Sequence, residues 1–256
     1  ETPLFIVNAL LMLVIIYAVR KGIEVVARTG ELFFFFIYFL AIIGFILILF
    51  SGLIDMNNLK PILEQGISPI VRVTLTQTLY FPFGETIVFS MIFPYLKNRK
   101  KVKKIGFFAI GLSGINLAIT MAINIGVLGV DLTARSQFPL LSTIQSIQVA
   151  DFLERLDVFF MISTVICIYF KVSIYFYAAV ASTAVIFKIK KPSSLTYPMG
   201  MVILFMSVTI ASSYAEHLKE GLEFVTHYLH PFFLIVIPLM LLGIAFLKNR
   251  KKESHQ

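Results

Sequence analysis

Long apolar runs alternate with short polar connections along the 256-residue chain. About 20 apolar residues in a helix are enough to cross the hydrocarbon core of a bilayer. The pattern predicts seven membrane-spanning helices, at about residues 3–19, 32–53, 73–95, 105–130, 156–174, 197–214 and 231–247. We therefore expect an all-α integral membrane protein that forms a single transmembrane domain.

The third run, residues 73–95, is interrupted in its middle by Pro82, Gly84 and Glu85. Proline lacks a backbone N–H and clashes with the preceding helical turn, and glycine adds a flexible point. A broken helix at membrane depth is tolerated only where it is buried in protein or lines a polar cavity. We interpret the break as the wall of a ligand pocket. The alternative is a simple proline kink, with Glu85 bonded to a neighbouring helix.

Free backbone groups at a broken membrane helix can hold a small solute or ion. A carboxylate at this depth is costly unless it is paired, protonated or hydrated. Both arguments place the candidate ligand-binding residues around the break, and these are Tyr80, Phe81, Pro82, Phe83, Gly84 and Glu85.

Several other elements are predicted from local patterns. Residues 62–70 favour a short interfacial helix with Pro61 near its start, and residues 140–148 favour an amphipathic surface helix. The connections between spans are predicted at residues 20–31 and at the acidic, histidine-containing stretch 216–230. We interpret the second of these as a solvated loop and not as a metal site. Residues 171–187 either continue the fifth helix or form an interfacial one. Asp151 and Arg155 are predicted to form an ion pair.

Two predictions concern helix packing. Asn8 is expected to form a hydrogen bond between helices. The polar residues Ser113, Asn116, Thr120 and Asn124 recur at helical spacing and form one stripe, which must face other helices or a cavity. The single Cys167 lies inside an apolar run, where we expect a buried thiol and no internal disulfide.

Composition supports the membrane assignment. Hydrophobic residues make up 58% of the chain and charged residues 14%. The formal net charge of +8 comes from basic residues in short loops, so it indicates membrane topology and not nucleic-acid binding. The basic loops follow the first, third, fifth and seventh runs, which predicts a cytoplasmic C-terminus. No nucleophile–base pair, phosphate-binding loop or metal-ligand set is visible, so we expect neither an enzyme nor a cofactor or metal site.

Four stretches together resemble the B subunit of spore germinant receptors. They are TPLFIVNALLMLVIIYAVRKGIEVVARTGELFF, the PFGE break, FPLLSTIQSIQVADFLERLDVFF and the basic loop after FYAAVASTAVIFKIKK. That family is permease-like and belongs to the amino acid–polyamine–organocation superfamily. The resemblance covers essentially the whole chain, and it agrees with reading the chain, which begins at Glu1, as a fragment whose N-terminal part is absent.

The resemblance implies a ten-helix fold of the leucine-transporter type, built from two inverted repeats, of which the N-terminal three helices are absent. The broken run then becomes helix six. The helix beginning near residue 156 becomes helix eight, where Phe160, Ser163 and Thr164 are candidate ligand-binding residues. The implied function is sensing of a small nutrient, an amino acid or a sugar, in the spore inner membrane, together with an A and a C subunit. The alternatives are an ion-coupled amino acid permease and a structural scaffold.

Overall fold

The computed structural model describes residues 3–96, 98–147, 156–210 and 213–253. These residues form helices joined by short turns, with no strand among them. The α-helices are α1 (Leu4–Lys21), α2 (Ile23–Phe50), α3 (Ser68–Val73), α4 (Val102–Arg135), α5 (Pro139–Gln145), α6 (Asp157–Ile186), α7 (Thr196–Thr209), α8 (Tyr214–Lys219) and α9 (Ile237–Glu253). Segments of π-helix cover Thr74–Phe83, Glu220–Leu229 and Pro231–Val236.

Five helical stretches of the described chain are long and apolar enough to cross a membrane. They are Leu4–Lys21, Ile23–Phe50, Val102–Arg135, Asp157–Ile186 and Tyr214–Lys248. At about 1.5 Å per residue, each of the 28- to 35-residue stretches exceeds the hydrocarbon thickness of about 30 Å. An all-helical, multi-pass membrane protein is therefore confirmed, whereas the ten-helix inverted-repeat arrangement stays a prediction.

The structure differs from the sequence-based expectation at two connections. Residues 23–31, predicted to lie in a loop, belong to α2. The chain passes from α1 to α2 through the single residue Gly22, whose φ of 108° is a conformation that glycine adopts readily and other residues rarely do. The stretch between the last two predicted spans is also helical, because α8 runs into the π-helical residues Glu220–Leu229. Of the two alternatives for residues 171–187, the structure shows the continuation, since α6 extends to Ile186.

Two smaller predictions were wrong. The short helix expected at residues 62–70 begins only at Ser68, because Pro69 and not Pro61 occupies the first turn, where proline is tolerated. Cys167 is exposed in the described structure and not buried. The amphipathic helix is present as α5, while the proposed Asp151–Arg155 pair lies outside the described residues.

The main core forms where α1 packs against α6 and α7. Its buried residues are Met12, Ile15, Ile16, Ala18, Val19, Val26, Phe176 and Val180. Gly200 of α7 lies so close to Ile16 that a Cβ atom there would overlap it, which shows why a small residue is used at this crossing. Asn8 Nδ2 donates to Ser207 Oγ at 3.3 Å, which confirms the predicted interhelical bond.

A second packed region joins α4 to the segments that precede and follow it. Asn124 is buried, and its Oδ1 accepts a hydrogen bond from Thr143 Oγ1 of α5 at 2.8 Å. The Asn58 side chain donates to the carbonyl of Gly126 at 3.1 Å. The predicted polar stripe thus binds another helix at Asn124, whereas Ser113 and Asn116 are exposed in the described structure.

Candidate functional site: a broken helix beside an ion pair

The helix that starts at Ser68 is interrupted at residue 81. Phe81 has φ −128° and ψ 120°, which are extended and not helical, and Pro82 follows it directly. After the break the chain continues as the 3₁₀-helix Gly84–Met91. The predicted break is therefore confirmed. Pro82 has no N–H to donate, so regular helical geometry does not pass unchanged through this point.

Gly84 allows a close approach between two parts of the chain. A Cβ atom added at Gly84 would lie 2.9 Å from the carbonyl oxygen of Leu79 and 2.7 Å from Cδ1 of Leu234. Its φ of −64° and ψ of −28° are ordinary helical values, so the backbone conformation at Gly84 does not itself require glycine. The absence of a side chain lets the break pack against Pro231–Val236.

Glu85 pairs with a lysine on α6. The Lys171 ammonium lies 2.8 Å from Glu85 Oε2 and 5.1 Å from the centre of the Phe81 ring. Tyr175, one turn beyond Lys171, donates its hydroxyl to the backbone oxygen of Glu85 at 3.4 Å. Charge attraction, a cation–π contact and a hydrogen bond thus join α6 to both sides of the break.

Lys171 was the residue that sequence analysis missed. It is the fifteenth of the 30 residues of α6, so about 20 Å of helix separates it from either end. A lysine this far inside an apolar helix is costly and marks a functional-site candidate whose partner should be sought. The signal was present in the sequence as a single charge within an apolar run, but nothing there identified Glu85 as its partner.

A cavity of about 230 Å³ lies at this junction. The residues that line it are Pro82, Glu85, Thr86, Val88, Phe89, Lys171, Ile174 and Tyr175. Its wall is mainly apolar and carries the Lys171–Glu85 pair, together with the tyrosine hydroxyl. Such a combination, apolar lining with a few convergent polar groups, is typical of small-molecule sites.

The structure brings together only part of the predicted site. Pro82 and Glu85 line the cavity, and Phe81 contacts Lys171, whereas Phe83 points its ring towards Gly114 of α4. Tyr80 is half-buried and is not among the lining residues.

The α6 candidates lie further from the break. Thr164 precedes Lys171 by seven residues, which is about 10 Å along a helix. The hydroxyls of Ser163 and Thr164 donate to the carbonyls of Phe159 and Phe160 within their own helix, at 2.8 and 2.9 Å. Phe160, Ser163 and Thr164 do not line the cavity, and a ligand role for them stays a prediction.

A larger cleft of about 600 Å³ lies at the beginning of the broken helix. It is lined by Ser68, Pro69, Arg72, Val73, Thr76, Gln77 and His227. His227 Nδ1 lies 2.9 Å from the backbone oxygen of Glu223, so part of its bonding capacity is used within its own helix. Within the described ranges, no group of three or more His, Cys, Asp or Glu side chains is arranged to hold a metal ion.

These features define a helical multi-pass membrane protein in which one helix is broken. A family model described as spore germination protein matches residues 1–215, and the chain therefore belongs to that family. This confirms the resemblance noted from the sequence.

Individual relatives agree with the family assignment. The chain is 56% identical to spore germination protein KB of Bacillus subtilis (strain 168) over 99% of its own length and 68% of that protein. It is 24% identical to spore germination protein A2 of the same organism, over 98% of this chain and 66% of the relative. It is 27% identical to spore germination protein B2, also from Bacillus subtilis (strain 168), over 64% of this chain and 44% of the relative. No solved structure matches the chain.

Proposed function

We propose that the protein is the nutrient-sensing membrane subunit of a spore germinant receptor and binds its ligand at the broken helix. The observation that carries the proposal is the cavity beside Phe81–Pro82, whose wall combines apolar side chains with the Lys171–Glu85 pair. Family membership supports a role in germination. The broken helix supports the ligand site, because the charged side chains of Glu85 and Lys171 meet beside the break.

Binding at this junction has a mechanical consequence. The cavity is bounded on one side by Pro82–Phe89 and on the other by α6, so a ligand between them favours one relative position of the two elements. A ligand shifts a conformational equilibrium only by its difference in affinity for the two states. We infer that nutrient binding stabilises a closed arrangement, which the partner A and C subunits then detect.

The test is ligand-induced stabilisation of the product of the complete reading frame. Purified protein is heated with a panel of amino acids and sugars, and the midpoint of unfolding is recorded. A ligand at about 100 times its Kd is expected to add about 2.7 kcal/mol of stability. No shift with any nutrient that triggers germination would contradict ligand sensing by this subunit and would favour the scaffold alternative.

An ion-coupled amino acid permease is the second candidate. The observation that favours it is Glu85, a carboxylate only 22% exposed and paired with Lys171, because such groups can carry protons in transporters. Uptake of labelled nutrient into vesicles separates the two functions. A sensor binds without accumulation, whereas a permease accumulates the solute when an ion gradient is imposed.

We further propose that the protein lies in the spore inner membrane with its C-terminus on the cytoplasmic side, because the loops on that side carry the excess of lysine and arginine. Replacing the lysines and arginines of residues 97–104 by glutamine is expected to weaken the inward preference of that loop. Labelling of one cysteine introduced there, with Cys167 replaced by serine, measures its side.

The matched control replaces Glu216, Glu220 and Glu223 by glutamine, which should leave the labelling unchanged, since acidic residues contribute little to topology. If the loop of the unmodified protein reacts from outside, the proposed orientation is wrong.

A further inference from the structure

A dense basic cluster lies directly before α4 and in its first turn. The sequence between residues 97 and 104 contains six basic residues, which are Lys97, Arg99, Lys100, Lys101, Lys103 and Lys104. The structure describes the side chains of the last four, and all four are exposed. Within the described residues the ion pairs are Arg28–Glu24 and Lys171–Glu85, so none of these lysines has a carboxylate partner there. The cluster therefore presents positive charge that the described part of the protein does not neutralise.

The position of this charge is unfavourable for the helix itself. The first turn of α4 contains no acidic residue, and the side chain of Lys101 at its N-cap makes no capping hydrogen bond. The N-terminal end of a helix is the positive end of its dipole, so cations there are destabilising. An anion beside the cluster offsets both the dipole and the repulsion among the lysines.

The face of α4 that follows the lysines is apolar and uncovered. No residue from Val102 to Ile123 is buried. Phe107 and Phe108 are 80% and 72% exposed, although each lies in a helix that is apolar enough to cross a membrane. Acyl chains are the surroundings that such side chains meet in a bilayer.

Charged and apolar groups share the same faces of this helix. Residues four positions apart are neighbours on a helix surface, so Lys103 lies one turn before Phe107 and Lys104 one turn before Phe108. From Lys104 to the exposed Ile115 the helix rises about 16 Å, close to the roughly 15 Å thickness of one hydrocarbon leaflet. Positive charge followed by one leaflet depth of apolar surface complements a phospholipid with an anionic headgroup.

We propose that the start of α4 is a binding site for an anionic phospholipid. The ammonium groups of Lys100, Lys101, Lys103 and Lys104 hold the phosphate of the headgroup, and the face that carries Phe107 and Phe108 contacts the acyl chains. A lysine near an anionic membrane surface contributes about fivefold to the binding constant. The proposal depends neither on the proposed ligand cavity nor on which side of the membrane the lysines lie.

The lipid site adjoins the broken helix. Leu96 follows the last helical turn of the broken segment, and it precedes Lys100 by four residues, which span at most about 14 Å. The Phe83 ring also approaches α4, where it lies 3.7 Å from the position of a Cβ atom at Gly114. A lipid bound by the lysines therefore anchors the end of the broken helix at the membrane surface.

The experiment measures which lipid touches residue 108. The 256-residue chain contains no tryptophan, so Phe108→Trp places one fluorescent reporter beside the lysines. Tryptophans in the rest of the complete reading frame are replaced by phenylalanine. The purified product is reconstituted in vesicles of phosphatidylglycerol and phosphatidylcholine in equal amounts, with bromine on the acyl chains of one lipid or the other. Brominated chains quench a tryptophan that they touch, so the ratio of the two quenching efficiencies gives the preference for the anionic lipid.

The expected preference for phosphatidylglycerol at residue 108 is about fivefold or more. The matched control is Phe50→Trp at the end of α2, because Phe50 is 85% exposed and no basic residue lies between Arg28 and Lys60. The preference at residue 50 should be close to one. A preference close to one at residue 108 as well would overturn the lipid site, and an acidic protein surface would then be the partner to test.

Two sets of substitutions separate charge from shape. Glutamine at positions 100, 101, 103 and 104 is expected to lower the preference at residue 108 by about fivefold or more, whereas arginine at the same positions should retain it. Both leaflets contain the same lipids, so a change of orientation in the membrane does not alter the measurement. An undiminished preference in the glutamine variant would overturn the role of the lysines. If that variant does not accumulate, the comparison of residues 108 and 50 and the arginine variant decide.

Discussion

Replacing Gly84 with alanine is expected to raise the nutrient concentration needed for half-maximal germination by about tenfold or more, and leucine to abolish the response. The added Cβ would lie 2.9 Å from the backbone oxygen of Leu79, an atom that cannot move without shifting the break itself. Overpacking of this kind costs about 1–3 kcal/mol, and 1.4 kcal/mol corresponds to a factor of ten. Dose–response curves of spores that carry the variant measure the effect.

The matched control is Gly111→Ala in α4, where an added Cβ has no neighbour within 4 Å. This variant is expected to respond as the unmodified protein does. The amount of each variant in spore membranes is measured in parallel, so that altered sensing is distinguished from lost protein. An unchanged dose–response for Gly84→Ala at a normal protein level would refute a functional role for the geometry at the break.

Replacing Phe176 with alanine is expected to lower the free energy of unfolding by about 3 kcal/mol. Phe176 is 2% exposed and packs in the core between α6 and α1. Phe→Ala substitutions in cores cost about 3–5 kcal/mol through lost transfer energy and the cavity left behind. We expect the lower end, because lipid tails surround unpacked membrane helices and the transfer contribution is small.

Phe205→Ala supplies the comparison, because Phe205 is 68% exposed on α7. Removal of this side chain leaves no internal cavity. The unfolding temperature of the Phe205→Ala variant in detergent should therefore stay close to that of the unmodified protein. If both phenylalanine variants lose the same stability, the packing of α6 against α1 does not hold the two helices together as described.

The break shows how far local sequence reasoning reached. Proline cannot donate to a helix, and this is a property of one residue in any context, so the interruption at Pro82 followed from the sequence. The packing role of Gly84 did not, because one of the two atoms that an added Cβ would meet belongs to Leu234, 150 residues away. The partner of Glu85 was out of reach for the same reason, since Lys171 lies 86 residues further along the chain.

Helix faces were harder to predict than helix positions. In a soluble protein the apolar stripe of a helix indicates which side is buried. In a membrane helix the lipid-facing side is also apolar, so the pattern does not distinguish it from the packed side. Lys171, Ile174 and Tyr175 are the α6 residues that line the cavity, and a ligand role for Phe160, Ser163 and Thr164 on the same helix stays a prediction.

The sequence by itself determined the membrane class, the approximate position of most helices, the interruption near Pro82 and the resemblance to germinant receptor subunits. Each depends on the composition or order of neighbouring residues, which the chain carries directly. Tertiary structure alone decided that α6 pairs with the broken helix, that Lys171 neutralises Glu85 and that Gly84 permits a close contact. These depend on which faces of distant helices meet, and uniformly apolar helix surfaces do not record that choice.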